Sequence, residues 1–188
     1  MKKICIILAA FIVAGCSFAP LKQPTLYSIS PPIKPSQEIK KPSTVYISLA
    51  GCPAPFDSYF IYYKNSPFSF KPFKDARWID LPCNMLKNTF YKALAKNGFK
   101  PALPSEAFCR ISFNVYDFEL VFIKKSYTAK IDVDFLINCG RNSYEFEFLK
   151  SLKLKDNSTY SSVKALNKLT MLAAKSLVGK IKRGKSPR

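Results

Sequence analysis

The residues with the clearest chemistry are Gly15 and Cys16, which follow an unbroken apolar run from Ile4 to Ala14. Two lysines precede that run, and its eleven residues are too few for a transmembrane helix, which needs about 20. A basic end, a short apolar stretch and small residues before a cut site are typical of a cleaved export signal. A cysteine directly after the cut site can carry a diacylglycerol on its thiol. We therefore predict that residues 1–15 are a lipoprotein signal peptide and that Cys16 is lipidated.

Acyl chains on Cys16 would hold the mature protein on a membrane. Each buried CH₂ contributes about 0.8 kcal/mol, so two or three chains anchor a protein without a transmembrane helix. Ser17 follows the cysteine, whereas enteric lipoproteins that stay in the inner membrane usually have Asp there. We predict a lipid-anchored, periplasm-facing protein of the bacterial cell envelope, in the outer membrane. The alternative is a plain secretory signal in which Cys16 is incidental.

Several catalytic classes are excluded by residues that the sequence lacks. It has no histidine, which removes Ser–His and Cys–His pairs and histidine metal sites, and it has no Walker A or GxSxG motif. Ser161 and Lys164 have the spacing of a serine–lysine dyad, but a serine at a predicted helix start is more typical of a cap. Asp132 and Asp134 share one strand face, as charges on a solvated face do. We expect no enzymatic activity, no cofactor and no metal site.

The chain is strongly basic, with a net charge of +18 that falls to +16 when Lys2 and Lys3 leave with the signal. Such a field attracts anionic lipid headgroups, an acidic partner or nucleic acid. Export makes nucleic acid the poorest of these partners, and we expect none. The lysines are scattered over the whole chain, so a lysine-rich composition without a functional role is the alternative. The basic cluster at the end, residues 183–188, is predicted to be a solvated tail.

Four cysteines remain in the mature chain besides Cys16, an even number that predicts two disulfides in an exported protein. They are Cys52, Cys83, Cys109 and Cys139. Three pairings are open to them. If a hairpin turns at Lys124, Cys109 and Cys139 lie opposite each other on neighbouring strands, within reach of a bridge. We predict that bridge and, by remainder, Cys52–Cys83.

The pattern of the chain predicts one domain on a tether. Prolines with polar spacers make residues 16–43 a lipidated, extended tether, in which the strand-like Thr25–Ile29 could dock on the domain edge. Residues 44–182 then read as three strands, a helix capped by Asp80, three long strands and a last helix. A change of apolar parity near Tyr116–Asp117 indicates a bulge. Strands in runs with segregated helices predict an α+β fold, with a mostly antiparallel sheet under two packing helices.

Aromatic residues are concentrated around a predicted hairpin turn at Lys64–Pro67. Aromatic side chains dominate the energy of protein interfaces, so this segment is the predicted partner-binding surface. The alternative is that the same rings only fill the core. The residues are Tyr59, Phe60, Tyr62, Tyr63, Phe68 and Phe70.

The order of these features resembles that of the ABC-type transport auxiliary lipoproteins, whose best known branch is the PqiC-like lipoprotein of MCE-type lipid transport systems. The resemblance covers nearly the whole mature chain. It rests on the lipobox and on the following residues: Leu26–Ile29, Tyr59–Tyr63, Trp78 ahead of the helix with Leu86, Phe90 and Leu94, and Phe113, Val115 and Phe118 in the long strand.

The resemblance implies a non-enzymatic accessory subunit that works with a permease, an ATPase and an MCE substrate-binding protein to move phospholipid across the envelope. The four mature cysteines and the strong basicity depart from the family pattern. A homo-oligomer is left open. The alternative function is a structural or surface-interaction outer-membrane lipoprotein without a transport role, with an envelope hydrolase as a distant third.

Overall fold

The computed structural model of the protein describes residues 23–34, 43–124 and 126–184. The predicted signal peptide, Cys16 and the end of the basic tail lie outside these ranges. The described residues form eight strands and two helices. They are β1 (Thr25–Tyr27), β2 (Thr44–Gly51), β3 (Phe60–Ser66), β4 (Ser69–Trp78), α1 (Pro82–Lys96), β5 (Lys100–Pro101), β6 (Cys109–Ile123), β7 (Ser126–Cys139), β8 (Asn142–Lys153) and α2 (Thr159–Gly184).

All eight strands belong to one sheet, and β6 lies at its centre. One edge of β6 pairs in parallel with β2 at its beginning and with β3 near its end. The other edge pairs with β7, which pairs in turn with β8, and both of these long ladders are antiparallel. The α+β class with two helices is confirmed, and the sheet is mixed, because the shorter ladders of β1, β2, β3 and β5 include parallel pairings.

The predicted bulge is confirmed at Tyr116. Val115 pairs with Val133 and Asp117 pairs with Asp132, so Tyr116 is the extra residue on β6. Because successive side chains of a strand point to opposite faces, one extra residue turns the second half of β6 over. Apolar side chains from both halves are therefore buried, among them Ile111, Phe113, Val115, Phe118 and Leu120.

Both helices contribute to the core through the apolar stripes that the sequence predicts. The ring of Phe90 in α1 lies 5.2 Å from the rings of Phe113 and Phe135, centroid to centroid. In α2 the inward residues are fully buried, and Leu169 and Leu177 expose 0% of their surface. An amphipathic helix that buries its apolar stripe on a sheet is the arrangement that stabilises two-layer folds.

The start of α1 differs from the prediction by one residue. Leu81, and not Asp80, is the cap residue, and no side-chain hydrogen bond caps this end. Asp80 Oδ1 accepts hydrogen bonds from the backbone N of Leu81 at 2.7 Å and from Asn84 Nδ2 at 3.3 Å. Pro82 fits the first helical position because its fixed φ suits a helix and its missing N–H would have no partner there. The predicted stop at Asn97–Gly98 is confirmed, since Gly98 has a φ of 82°.

Much of the segment predicted as tether packs on the domain. Residues Thr25–Tyr27 pair in parallel with β4 at the sheet edge, and Ile29 exposes only 4% of its surface. Asn167 in α2 holds the next residues, because its Oδ1 accepts from the Ser30 N–H at 2.8 Å and its Nδ2 donates to the Ser28 carbonyl at 3.0 Å. The docking of Thr25–Ile29 is thus confirmed, and this part of the predicted tether belongs to the folded domain.

The structure brings together both predicted cysteine pairs. Cys109–Cys139 joins the start of β6 to the end of β7, and Cys52–Cys83 joins the loop after β2 to the first turn of α1. The pairing register that we predicted beside the turn at Lys124 is wrong by one residue, since Ile123 pairs with Ser126. The bulge at Tyr116 removes this offset, so Cys109 still lies directly opposite Cys139.

We expect peptide mapping of the nonreduced protein to recover Cys109–Cys139 and Cys52–Cys83. Replacing Cys109 and Cys139 together by Ala should lower the free energy of unfolding by about 3 to 4 kcal/mol, the chain-entropy contribution of a loop of this length. Denaturant unfolding of this variant and of the matched Cys52→Ala, Cys83→Ala variant measures the contribution of each disulfide to the free energy of unfolding. Free thiols at positions 109 and 139 in the folded protein would contradict the pairing.

Candidate functional site

The predicted aromatic segment forms the β3–β4 hairpin and the residues just before it. Ser66 pairs with Ser69, so Pro67 and Phe68 form the turn. Phe68 exposes 98% of its surface, and three further rings of the segment are also exposed, those of Tyr59, Phe60 and Phe70. We call Tyr59, Phe60, Tyr62, Phe68 and Phe70 the hairpin surface.

Three rings of the hairpin surface, those of Phe60, Tyr62 and Phe70, contact one another. The Tyr62 ring centroid lies 5.9 Å from that of Phe60 and 6.4 Å from that of Phe70. Arg77 lies 4.1 Å from the Phe60 ring centroid, and Lys64 Nζ lies 4.8 Å from that of Phe70. Such cation–π contacts contribute about 0.5 to 1 kcal/mol at exposed sites. The surface is therefore an ordered aromatic patch with basic side chains beside it.

Tyr63 is separate from the other predicted partner-binding residues. It alternates with Tyr62 along β3 and therefore points to the opposite face. Its ring packs 5.0 Å from those of both Phe73 and Phe122, beside an open groove of about 660 Å³ that Tyr127 also lines. A partner that binds the hairpin surface would not reach Tyr63 on the same face.

A buried ion pair holds the hairpin to the centre of the sheet. Lys64 Nζ on β3 lies 2.6 Å from Glu119 Oε2 on β6, and the Glu119 side chain exposes only 7% of its surface. A buried carboxylate destabilises the folded state unless an opposite charge pairs with it. Lys64 supplies that charge to Glu119. The pair fixes the hairpin relative to β6.

The sheet face opposite the helices carries a cluster of carboxylates. Oxygens of Asp132, Asp134 and Glu147 all lie within 4.8 Å of one another. Asp117 pairs directly with Asp132 across the strands, and Asp134 pairs with Glu147. Asp117 also forms an ion pair with Lys130. Carboxylates are ligands for hard cations such as Ca²⁺, and exposed acidic groups commonly cluster without one.

Burial, and next the Glu147 carboxylate, raise the pKa of the Asp132 carboxyl above its ordinary value. One of its oxygens, Oδ1, is buried and accepts no hydrogen bond from any residue that the structure describes. The sequence predicted that Asp132 and Asp134 share a face but missed Glu147. The alternation in Tyr144–Phe148 would have placed Glu147 on the same face once the β7–β8 register was known.

No hydrogen bond joins Ser161 to Lys164 in the part of the chain that the structure describes. Lys164 Nζ lies 6.0 Å from the ring centroid of Tyr160. Ser161 is not the cap either, because α2 begins earlier, at Thr159. Ser158 Oγ accepts the Ser161 backbone N–H at 3.2 Å and so serves the first turn of the helix. Ser158 therefore takes the capping role that was predicted for Ser161.

Replacing Asp132 by Asn should stabilise the protein at neutral pH by about 0.2 to 1 kcal/mol, because like charges directly opposite each other on strands are destabilising. A carboxyl whose pKa is raised by folding costs stability as the pH rises through that pKa. The gain should therefore vanish below a pH of about 4, where the unfolded carboxyl is also protonated. Thermal unfolding across this pH range measures the effect. Asp75→Asn, at an exposed site, is the control, and equal stabilisation by it would contradict the explanation.

Across residues 23–34, 43–124 and 126–184, neither helix is long and apolar enough to cross a membrane.

Comparison with known proteins identifies the fold. No protein-family model matches the chain, and no curated protein matches its sequence. The crystal structure of a DUF330 protein from Xanthomonas campestris superposes with a TM-score of 0.71 at 14% identity, over 84% of this chain and 94% of that one. The crystal structure of an uncharacterized protein superposes with a TM-score of 0.62 at 16% identity, over 85% and 99%. At these identities the similarity shows that the chain shares the α+β fold of both structures.

Proposed function

We propose that this protein is a lipid-anchored protein of the bacterial envelope that acts as a non-enzymatic accessory subunit of an ABC/MCE-type phospholipid transport system. The observation that carries the proposal is the hairpin surface. Phe68 at its tip exposes 98% of its surface, and fully burying a phenylalanine side chain contributes about 1.5 to 3 kcal/mol. A partner that covers the hairpin would gain this energy.

The hairpin surface suits a partner because three of its rings are ordered before binding. Ring–ring and cation–π contacts fix Phe60, Tyr62 and Phe70, so little side-chain entropy is lost when a partner covers them. The ion pair between Lys64 and Glu119 fixes the hairpin to the sheet. We propose that the MCE-type protein contacts this surface.

The anchor restricts where that contact can be made. Thr25 is paired at the sheet edge, and it lies only nine positions after Cys16 in the sequence. A fully extended chain of this length spans about 30 Å. The domain would therefore work near its membrane, within reach of a partner that comes close to the same bilayer.

Chemical turnover would belong to other subunits. The sequence has no Walker A motif and no histidine, so we assign ATP hydrolysis to a separate ATPase and translocation to a separate permease. In this assignment the protein contributes binding and position. It requires no cofactor.

Replacing Cys16 by Ser should prevent acylation and leave the protein uncleaved or mislocalised. The physical reason is that the thiol is the only attachment point for the diacylglycerol and that acyl chains supply the membrane affinity. Fractionation and intact-mass measurement of the mature protein test this outcome. Cys5→Ser within the signal is the matched control. A Cys16→Ser protein that matures and fractionates as the wild type does would contradict the lipoprotein proposal.

Replacing Phe68 by Asp should reduce the in vivo crosslinking of an MCE-type protein by about tenfold or more, because aromatic anchors at interface centres contribute about 2 kcal/mol or more. A photoreactive residue at position 70 reports the contact. Stability should change by less than about 0.5 kcal/mol, since Phe68 is a surface residue.

Tyr160→Asp is the control for that experiment, because Tyr160 is also an exposed aromatic, at 67%, but lies outside the hairpin surface. A deletion strain should show sensitivity to detergent that matches deletion of the partner ATPase. Wild-type envelope behaviour in the deletion strain, with no MCE protein recovered by crosslinking, would overturn the transport proposal and leave a structural lipoprotein.

A further inference from the structure

A pocket of about 240 Å³ lies between α1, α2 and the segment that follows β1. Apolar side chains make most of its wall. They are Ile33, Ala93, Met171, Ala174 and Val178. An apolar cavity of about 150 Å³ is large enough to bind benzene, so this pocket can hold a longer piece of hydrocarbon.

Gly179 keeps part of this pocket open. It lies inside the 26-residue helix α2, where glycine is less stable than alanine by about 0.5 to 1 kcal/mol. A Cβ added at Gly179 would have no heavy atom within 4 Å, so close packing within the protein does not require glycine here. Residues that disagree with their local structure without a packing reason are concentrated at functional or strained sites.

The mouth of the pocket is basic. Lys34 and Lys175 line it and are exposed, and Lys182 lines it with its Nζ 3.4 Å from Asn97 Oδ1. None of the residues that line the pocket is acidic. Neither helix contains a single Asp or Glu along its length. The pocket therefore presents an apolar interior behind a mouth that attracts anions.

We propose that this pocket binds one acyl chain of an anionic membrane phospholipid. The hydrocarbon would lie against Ala174, Val178 and the open side of Gly179, and the phosphate would lie near Lys34 and Lys175. The proposal goes beyond the accessory role proposed above, because lipid binding here needs no transport partner. The alternative occupant is the adjoining segment, residues 35–42, which contains Glu38 and Ile39 as well as Lys40 and Lys41, and the test below distinguishes it from a lipid.

The test uses the full-length protein in phosphatidylcholine vesicles that contain a small amount of phosphatidylglycerol with a photoreactive group on one acyl chain. We expect crosslinked peptides from residues 93–97 and 171–182. Gly179→Leu should lower their yield at least about tenfold, because its side chain fills the pocket. Gly179→Ala is the matched control and should keep the yield, since a single methyl group meets open space.

The second variant, Lys34→Glu with Lys175→Glu, changes only exposed side chains and decides the matter if Gly179→Leu fails to fold. This variant should lower the crosslinking yield of the phosphatidylglycerol probe at least about tenfold. The yield of a phosphatidylcholine probe with the same photoreactive acyl chain should fall much less. An unchanged yield in folded Gly179→Leu, or an unchanged yield in the lysine variant, would overturn the proposal. So would an intramolecular crosslink to residues 35–42 in a variant that carries a photoreactive residue at position 179. Because the vesicles contain no other protein, these outcomes are independent of any MCE partner.

Discussion

The register between β6 and β7 is the constraint on which the rest of the fold depends. The two longest ladders of the sheet, β6–β7 and β7–β8, each include at least one of these two strands, and β6 alone joins β2, β3 and β7. A shift of one residue would exchange the faces of all side chains beyond it. The single extra residue, Tyr116, is what allows both halves of β6 to bury apolar side chains and still brings Cys109 opposite Cys139. The disulfide and the core are therefore two results of the same register.

Charge is divided between the two layers of the protein. Half of the 12 acidic residues lie on the outer face of the β6–β8 meander, whereas both helices carry lysine and no acid. The acidic residues are Asp117, Glu119, Asp132, Asp134, Glu145 and Glu147. A protein with a uniform excess of lysine would not separate charge in this way. The helix layer is the side that an anionic bilayer attracts, and the pocket opens within that layer.

The local parts of the fold could be predicted from the sequence, because they depend on periodicity. Alternation in β7, the parity change at Tyr116 and the apolar stripes of both helices were all readable. The parallel pairing of β2 and β3 with β6 could not be predicted, because it joins segments more than 50 residues apart and no short sequence pattern encodes such contacts. The cap at Leu81 was missed because Asp80 is the better capping residue, yet Pro82 fixes the start of the helix.

In the candidate sites, too, local features could be predicted from the sequence and long-range contacts could not. Clustering of aromatics predicted the hairpin surface, but only the strand faces separate Tyr63 from Tyr62. The pocket between the helices was not predicted, because it depends on how α1 and α2 approach each other. Two signals could have indicated it: a glycine inside α2, at position 179, and helices whose charged residues are all basic.

If Cys16 carries the lipid anchor that we propose, the docking of β1 on β4 limits the distance between that anchor and the folded domain to about 30 Å at full extension of the chain. A domain on so short a linker would explore a small volume above the bilayer, and its effective concentration at the membrane surface would be in the millimolar range. At that concentration even a weak site is occupied most of the time, so neither the hairpin nor the pocket needs high affinity. Lengthening the linker would weaken every contact made at the membrane without altering a single residue in it.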